Sequence, residues 1–228
     1  TRFLREARIT GQLEHPNIVP VYELGCRPDG TLYYTMKVVR GRTLASALQG
    51  CDTLEERLNY IKHYADLCDG LAYAHSRNIV HRDIKPANVM LGEFGETMIL
   101  DWGLAKSIDQ VDLNAADLAS QAVALRSEAG TQTMNGALLG TPLYMSPEQA
   151  RGDIENIDAR SDVWSMGAVL YEILAGLPPF KAKSSVKVIM KVMARDLTPI
   201  KEHVPEAPDE LVFICEKALS VDPTARYA

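Results

Sequence analysis

The 228-residue sequence lacks an excess of positive charge, because 24 lysines and arginines stand against 30 aspartates and glutamates and leave a net charge of −6. Binding to nucleic acid or to an acidic membrane surface needs clustered lysine and arginine, so neither kind of partner is expected. Long apolar runs are missing too. The longest candidate, residues 164–180, contains Glu172 and ends in two prolines. It is too short and too polar for a membrane segment and predicts a buried helix.

Cysteine is scarce, and its spacing suits neither metal binding nor a disulfide framework. The four cysteines form no Cys-x-x-Cys pair and have no histidines at zinc-finger spacing. We therefore expect reduced thiols and a cytoplasmic location. An initiator methionine and a signal sequence are also missing, so we expect an internal piece of a longer protein, which could carry a membrane anchor elsewhere.

What is present is an ordinary globular composition, with 46% hydrophobic and 24% charged residues. This balance excludes collagen-like, low-complexity and wholly disordered chains. The length suffices for one domain with a sizeable core or for two small ones.

The first 40 residues predict a helix followed by a hairpin. Apolar residues recur at helical spacing over 3–13, and the His-Pro-Asn sequence at 15–17 stops the helix. The runs 18–24 and 31–39 are rich in β-branched and aromatic residues. The turn-forming residues 27–30 between them predict two antiparallel strands.

The rest of the chain predicts mostly helices around a small sheet. Residues 53–77 predict one long helix that begins at a Thr-x-x-Glu capping box. Apolar stretches at 79–91 and 97–100 predict paired strands around a polar turn. Residues 104–139 form a long polar stretch that predicts a mobile loop, with a weak helix over 115–125.

One segment carries the functional prediction. Residues 81–88 read HRDIKPAN, and Asp101-Trp102-Gly103 follows at the end of an apolar run. These residues resemble the catalytic loop H-R-D-x-K-x-x-N and the metal-binding D-F-G of the protein kinases, with tryptophan in place of phenylalanine. The segments HRDIKPANVML and GTPLYMSPEQA are similar in sequence to those of bacterial Ser/Thr kinases of the eukaryotic-like type.

Phosphoryl transfer asks a protein mainly to position groups and to neutralise charge. Asp83 is suited to accept the proton of the attacking hydroxyl, and Lys85 to bring a cation to the transferring phosphate. Asn88 and Asp101 offer hard oxygen ligands for Mg²⁺. A single Asp or Asn is more often a cap or turn residue, so the prediction depends on the spacing of all four. The resemblance implies ATP and Mg²⁺ as cofactors.

The resemblance also implies an α+β fold with two lobes. Residues 1–40 correspond to part of the N-lobe, with helix C, two strands and the hinge, and residues 41–228 to a mostly α-helical C-lobe with an activation segment over 101–148. No Gly-x-Gly-x-x-Gly motif and no Val-Ala-Ile-Lys lysine precede Glu6, which resembles the helix C glutamate. We therefore expect a truncated N-lobe, and an isolated chain that is inactive. The implied nucleotide-contacting residues are Glu6, Met36 as gatekeeper, Val39, Lys85, Asn88 and Asp101.

Further motifs follow in the order found in the family. Residues 140–148, GTPLYMSPE, resemble the end of an activation segment. Asp162 resembles the buried carboxylate that holds the catalytic loop, and Arg226 the closing arginine that pairs with Glu148. Two surface charges would contribute almost nothing to stability, whereas breaking a buried pair would cost ~3–5 kcal/mol.

Regulation and specificity are expected from the same resemblance. Lys85 with Thr141 is typical of kinases that act on Ser or Thr of protein substrates. Arg82 is suited to pair with a phosphate on Thr131 or Thr133. Self-associated copies of the protein would add this phosphate by autophosphorylation in trans. Merely solvated threonines remain the open alternative there. A pseudokinase or scaffold is the alternative function, and a small-molecule phosphotransferase is disfavoured because it would not need a protein-substrate platform.

Overall fold

The computed structural model describes residues 2–107 and 141–228. Its helices are α1 (Arg2–Thr10), α2 (Leu44–Gln49), α3 (Leu54–Leu58), α4 (Ile61–Ser76), α5 (Pro147–Arg151), α6 (Ala159–Ala175), α7 (Ser185–Ala194), α8 (Ile200–His203) and α9 (Asp209–Ala218). Its strands are β1 (Val21–Cys26), β2 (Leu32–Met36), β3 (Gly41–Thr43), β4 (Ile79–Val80), β5 (Val89–Gly92), β6 (Thr97–Ile99) and β7 (Lys106–Ser107). The weak helix predicted over 115–125 and the residues Thr131 and Thr133 lie outside the described part.

The N-terminal part is a helix beside an antiparallel hairpin, as predicted. Strands β1 and β2 pair through a turn in which Arg27 donates from its N–H to Thr31 O at 2.8 Å. Gly30 in that turn has φ of 84°, a conformation that glycine adopts without steric cost. Helix α1 ends at Thr10, three residues before the predicted end, because Gly11 and Gln12 form a turn.

The single helix predicted over 53–77 is wrong, because the chain forms two helices there, α3 and α4. The capping box that begins α3 is present, with Thr53 and Glu56 bonding reciprocally. Near the end of α3, the buried Arg57 side chain donates to Ile173 O at 3.0 Å and to Leu174 O at 3.2 Å. This contact with a distant helix end is invisible to local periodicity.

Helix α6 is the buried helix predicted from the apolar run near residue 164. It begins after the N-cap Asp158 and ends at Gly176, which has φ of 76°. The indole ring of Trp164 is fully buried and stacks on Phe180 with ring centroids 5.8 Å apart. Helix α9 packs on α6, and α6 therefore forms the centre of the C-terminal core.

A short segment before β1 joins the N-terminal part to the rest of the molecule. Asn17 accepts from Ile99 N at 2.8 Å, and its side-chain amide donates to Thr97 O at 3.0 Å. Val19 N donates to Ile99 O at 3.3 Å. Strand β6 is thus held from both sides, since it also pairs with β5. This strand leads directly to Asp101.

In the described ranges, none of the helices combines the length and the apolar character required to cross a bilayer. Cys26, Cys51, Cys68 and Cys215 are all free thiols.

Candidate active site

The predicted catalytic loop, residues 81–88, follows β4 and is held by a buried carboxylate. Asp162, fully buried at the start of α6, accepts from the backbone N–H groups of His81 and Arg82 at 2.8 Å each. His75 Nε2 lies 2.8 Å from the same carboxylate. Burial alone would raise the pKa of Asp162, but the bonds and charges of His75 and His81 outweigh it and lower that pKa. An ionised carboxylate therefore anchors the loop.

The loop brings together three of the residues that the sequence singled out. The Lys85 ammonium lies 2.6 Å from Asp83 Oδ2. Asn88 Nδ2 donates to Asp83 O at 2.8 Å and to Oδ2 at 3.2 Å. The Asp83 side chain is 11% exposed, so its carboxylate is held in one orientation with limited access to water. Such a group can accept a proton from a hydroxyl placed beside it.

Two hydrogen bonds of Leu100, the residue before Asp101, bring Asp101 close to the loop that carries Asp83, Lys85 and Asn88. Leu100 N donates to Asn88 O at 2.9 Å, and Leu100 O lies 3.0 Å from His81 Nε2. Asp101 itself has φ of 60° and accepts from Gly103 N at 3.3 Å. The loop and the end of β6 are therefore joined at Asn88 and Leu100, immediately before Asp101.

The donor set of Asn88 and Asp101 fits a magnesium ion. Both hydrogens of Asn88 Nδ2 face oxygens of Asp83, which directs the amide oxygen away from them. Asp101 is exposed and carries a carboxylate. An amide oxygen and a carboxylate are hard ligands of the kind Mg²⁺ takes, and Asn88 is bonded to Leu100, the residue before Asp101.

Trp102 occupies the position of the expected phenylalanine and is 1% exposed. Its ring lies 4.6 Å from the His81 ring and belongs to the core cluster that includes Ile9 and Leu13 near helix α1. Among the residues that the structure describes, none accepts a hydrogen bond from its indole N–H. The larger ring thus packs beside His81 in the same core cluster as Ile9 of α1.

Glu6 is oriented by a tyrosine that sequence analysis missed. Tyr34 on β2 donates its hydroxyl to Glu6 Oε1 at 2.9 Å. Burial, followed by the bond and charge of Glu6 and the charge of Asp101, raises the pKa of Tyr34 to about 12. Met36 is 40% exposed at the end of β2, and Val39 is half-buried beyond it. Within residues 2–107 and 141–228, neither of these two makes a contact that assigns a role.

The distant pair Glu148 and Arg226 is brought together and buried. Arg226 Nη1 and Nη2 donate to the two Glu148 oxygens at 2.8 and 3.0 Å, and Ser161 Oγ donates to Oε1 at 2.7 Å. Burial opposes ionisation of Glu148, but these bonds and the Arg226 charge prevail and lower its pKa. Thr141 begins a short 3₁₀ turn, and its side chain lies outside the described part.

A sizeable cavity of the described residues lies away from these groups. A cavity of about 650 Å³ is lined by Glu14, Pro16, Lys37, Glu96 and Met98, while the space beside Arg82 and Asp83 is about 10 Å³. Side-chain chemistry therefore identifies the site better than cavity size does.

Comparison with known families agrees with this geometry. Residues 1–228 match the protein kinase domain over their whole length. The chain belongs to the protein kinase family. The kinase domain has the expected α+β fold, with small antiparallel sheets in the N-lobe and a helical C-lobe.

Several bacterial serine/threonine-protein kinases are similar to this kinase domain. PknD of Protochlamydia amoebophila is 38% identical over 99% of the chain and 24% of its own length. PknB of Mycolicibacterium smegmatis is 38% identical over 99% of the chain and 33% of its own length. PknD of Chlamydia felis is 35% identical over 100% of the chain and 25% of its own length. The chain thus spans about a quarter to a third of the length of these relatives.

Sequence reasoning missed His75, Tyr34 and Ser161, each of which bonds a predicted residue. No sequence signal singled them out, because each lies in a helix or strand of ordinary composition.

Kinases of this family generally use ATP and Mg²⁺ and act on proteins.

Proposed function

We propose that the protein containing this domain transfers the γ-phosphoryl group of ATP to Ser or Thr hydroxyls of protein substrates. The observation that carries the proposal is the Asp83 carboxylate, bonded at once by Lys85 and Asn88. Identity of 35–38% to bacterial serine/threonine-protein kinases supports the same reaction. Asp83, Lys85 and Asn88 are the proposed catalytic residues.

Each of these residues has a distinct proposed task. Asp83 accepts the proton of the attacking hydroxyl and orients its oxygen. Lys85, at 2.6 Å from that carboxylate, is close enough to contact the transferring phosphate at the same time. Asn88 keeps the Asp83 carboxylate in place through its amide hydrogens.

Asn88 and Asp101 are the proposed metal ligands, through an amide oxygen and a carboxylate. Bound Mg²⁺ supplies neutralisation of charge on the phosphate oxygens. Glu6, Met36 and Val39 complete the proposed nucleotide site. For Glu6, the support is Tyr34, which donates a hydrogen bond to Glu6 and whose pKa is raised in part by the charge of Asp101.

Regulation through the activation segment, residues 101–148, is part of the proposal. Arg82 precedes Asp83 and carries the guanidinium that would pair with phosphate on Thr131 or Thr133. Thr141 would contact Asp83 and Lys85 as a structural hydroxyl. Copies of the protein would phosphorylate one another in trans. The four free thiols support action in the cytoplasm.

The decisive experiment compares the complete natural protein with its Asp83→Asn variant. We expect Asp83→Asn to lower kcat by ~10²-fold to 10⁴-fold, the range of general acid–base catalysis, with ATP binding retained. Asp69→Asn, the same change at an exposed position of α4, is the matched control and should leave kcat unchanged. Phosphate transfer to Ser/Thr peptides and ATP binding are measured side by side.

Two outcomes would contradict the proposal. Equal activity of the Asp83→Asn and wild-type proteins would remove Asp83 from the chemistry. A complete protein that transfers no phosphate and binds no Mg²⁺–ATP would favour the pseudokinase or scaffold.

The regulatory part has its own test, a Thr131→Ala plus Thr133→Ala double variant of the complete protein. We expect lower activity and loss of phosphate from the activation segment, measured by peptide mapping. Unchanged turnover would refute it.

A further inference from the structure

Gln149, the residue after Glu148, bonds two separate parts of the chain with its side-chain amide. Its Oε1 accepts from Ser146 N at 3.0 Å and completes the capping box that begins α5. Its Nε2 donates to the backbone oxygen of Arg82 at 2.8 Å. The residue is 7% exposed, so both bonds are shielded from water. Nothing in the catalytic motifs points to this contact.

The chemistry of the two partners determines how the amide is oriented. Ser146 N is a donor and needs an acceptor, while Arg82 O is an acceptor and needs a donor. Only one orientation of the amide satisfies both. A carboxylate of the same shape could accept from Ser146 N but could not donate to Arg82 O.

The contact falls on the residue that determines where the catalytic carboxylate points. Arg82 has φ of 69°, a left-handed conformation that is unfavourable for a residue with a side chain. Asp162 Oδ1 holds its N–H at 2.8 Å, and Gln149 holds its carbonyl oxygen. The peptide groups on both sides of Arg82 are therefore fixed by side chains of α6 and α5. Asp83 follows directly.

We propose that Gln149 is a positioning residue that links the end of the activation segment to the orientation of Asp83. The inference rests on the proposed role of Asp83. Helix α5 begins directly after its N-cap Ser146, so a displacement of the activation segment that moves this helix also removes the donor from Arg82 O. Release of that carbonyl frees the strained Arg82 backbone to relax and turns Asp83 away from the attacking hydroxyl.

The test is Gln149→Glu in the complete protein, because this change keeps the cap and removes only the donor. We expect kcat to fall roughly tenfold, since a buried carbonyl loses its partner. The KM for ATP should stay within about twofold, because the variant acts on Asp83 and not on nucleotide contacts. Gln49→Glu, the same change at an exposed position of α2, is the matched control and should behave as wild type.

A pH profile separates positioning from a general structural defect. Burial raises the pKa of a carboxyl group, and its protonated form donates one hydrogen bond while still accepting another. The introduced carboxyl group should therefore regain the missing donor as pH falls. We expect the kcat ratio of wild type to Gln149→Glu to shrink from about pH 8 to about pH 6. Charged groups on the neighbouring elements are Arg82, Asp83, Asp162, and Glu148 with Arg226.

Three results would overturn the inference. One is wild-type kcat in Gln149→Glu while Asp83→Asn is inactive, which leaves the proposed function intact. Another is a kcat deficit that does not change with pH. The third is a loss of stability in Gln149→Glu, measured by urea unfolding, that is large enough to account for the whole kcat deficit. Activity would then merely follow the folded fraction. If Asp83→Asn is itself fully active, the proposed function fails first.

Discussion

Glu148 and Arg226, 78 positions apart in the chain, are joined by two side-chain hydrogen bonds of 2.8 and 3.0 Å in the protein interior. Their exposed fractions are 3% and 5%, which excludes the solvated pair that contributes almost nothing. Arg226 also donates to the backbone oxygens of Arg160 and Ser220 at 2.8 Å each. The guanidinium therefore connects α5, which contains Glu148, to the beginning of α6 and to the C-terminal turn.

Arg226→Met should lower the free energy of unfolding by ~3–5 kcal/mol, because it leaves the Glu148 carboxylate buried without its cation. Lys191→Met breaks the more exposed Lys191–Asp196 pair, 3.0 Å long, and serves as the control, with an expected change below ~1 kcal/mol. Urea unfolding followed by hydrogen exchange within this domain measures both. Equal changes for the two variants would contradict the prediction.

The same pair predicts a pH dependence. The folded-state pKa of Glu148 is lowered, so its contribution to stability is present above the unfolded pKa and is lost as pH falls through the folded value. The stability difference between wild type and Glu148→Gln should therefore be largest near neutral pH and decline in acid. A difference that stays constant with pH would show that the carboxylate charge contributes nothing.

For Glu172 we expect the opposite effect of pH on stability. Tyr144 donates its hydroxyl to Glu172 Oε2 at 2.5 Å, but burial outweighs this bond and raises the pKa of Glu172. A raised carboxyl pKa costs stability above the folded value, and the cost is relieved as pH falls towards the unfolded value. Glu172→Gln should thus stabilise by about 1 kcal/mol near neutral pH, since its amide oxygen still accepts from Tyr144. The gain should disappear in acid in the same urea series, and destabilisation at neutral pH would refute it.

Arg57 acts as a cap for a helix far away in the sequence. Its guanidinium satisfies the Ile173 and Leu174 carbonyls at the end of α6, which have no partner within the helix. Arg57→Met should cost ~2–3 kcal/mol, because buried carbonyls lose charged donors. Arg57→Lys should recover part of this, since the ammonium keeps the charge but loses the planar fork. Thermal unfolding orders the three proteins, and Arg57→Met equal to wild type would exclude the capping role.

Gly167 predicts a reversal of normal helix propensity. Alanine usually stabilises a helix interior by about 1 kcal/mol over glycine. A Cβ at Gly167, however, would lie 2.8 Å from Ala218 Cβ and 3.0 Å from Leu219 Cγ. We expect Gly167→Ala to destabilise by ~1–3 kcal/mol, whereas Gly50→Ala, with 3.6 Å of room to Ala47 O, should change stability little. Melting temperatures of both variants measure this, and a stabilised Gly167→Ala would show that α6 and α9 can separate freely.

Local signals in the sequence were sufficient for several elements. The hairpin of β1 and β2 follows from β-branched runs around a turn, and the buried helix α6 from one apolar run. The identity of the domain follows from residue types at short spacings within 81–88 and 101–103. Such features are determined by neighbours along the chain, so a sequence displays them directly.

The tertiary structure decided what distant residues do to one another. Arg57 reaches carbonyls more than a hundred positions away, Gln149 reaches Arg82, and His75 reaches Asp162. No periodicity or fixed spacing in the sequence indicates these bonds, because each forms only when separate parts of the chain pack together and exclude water. The residue types of the proposed kinase site are therefore visible in the sequence, while the bonds that orient their side chains come from the packed fold.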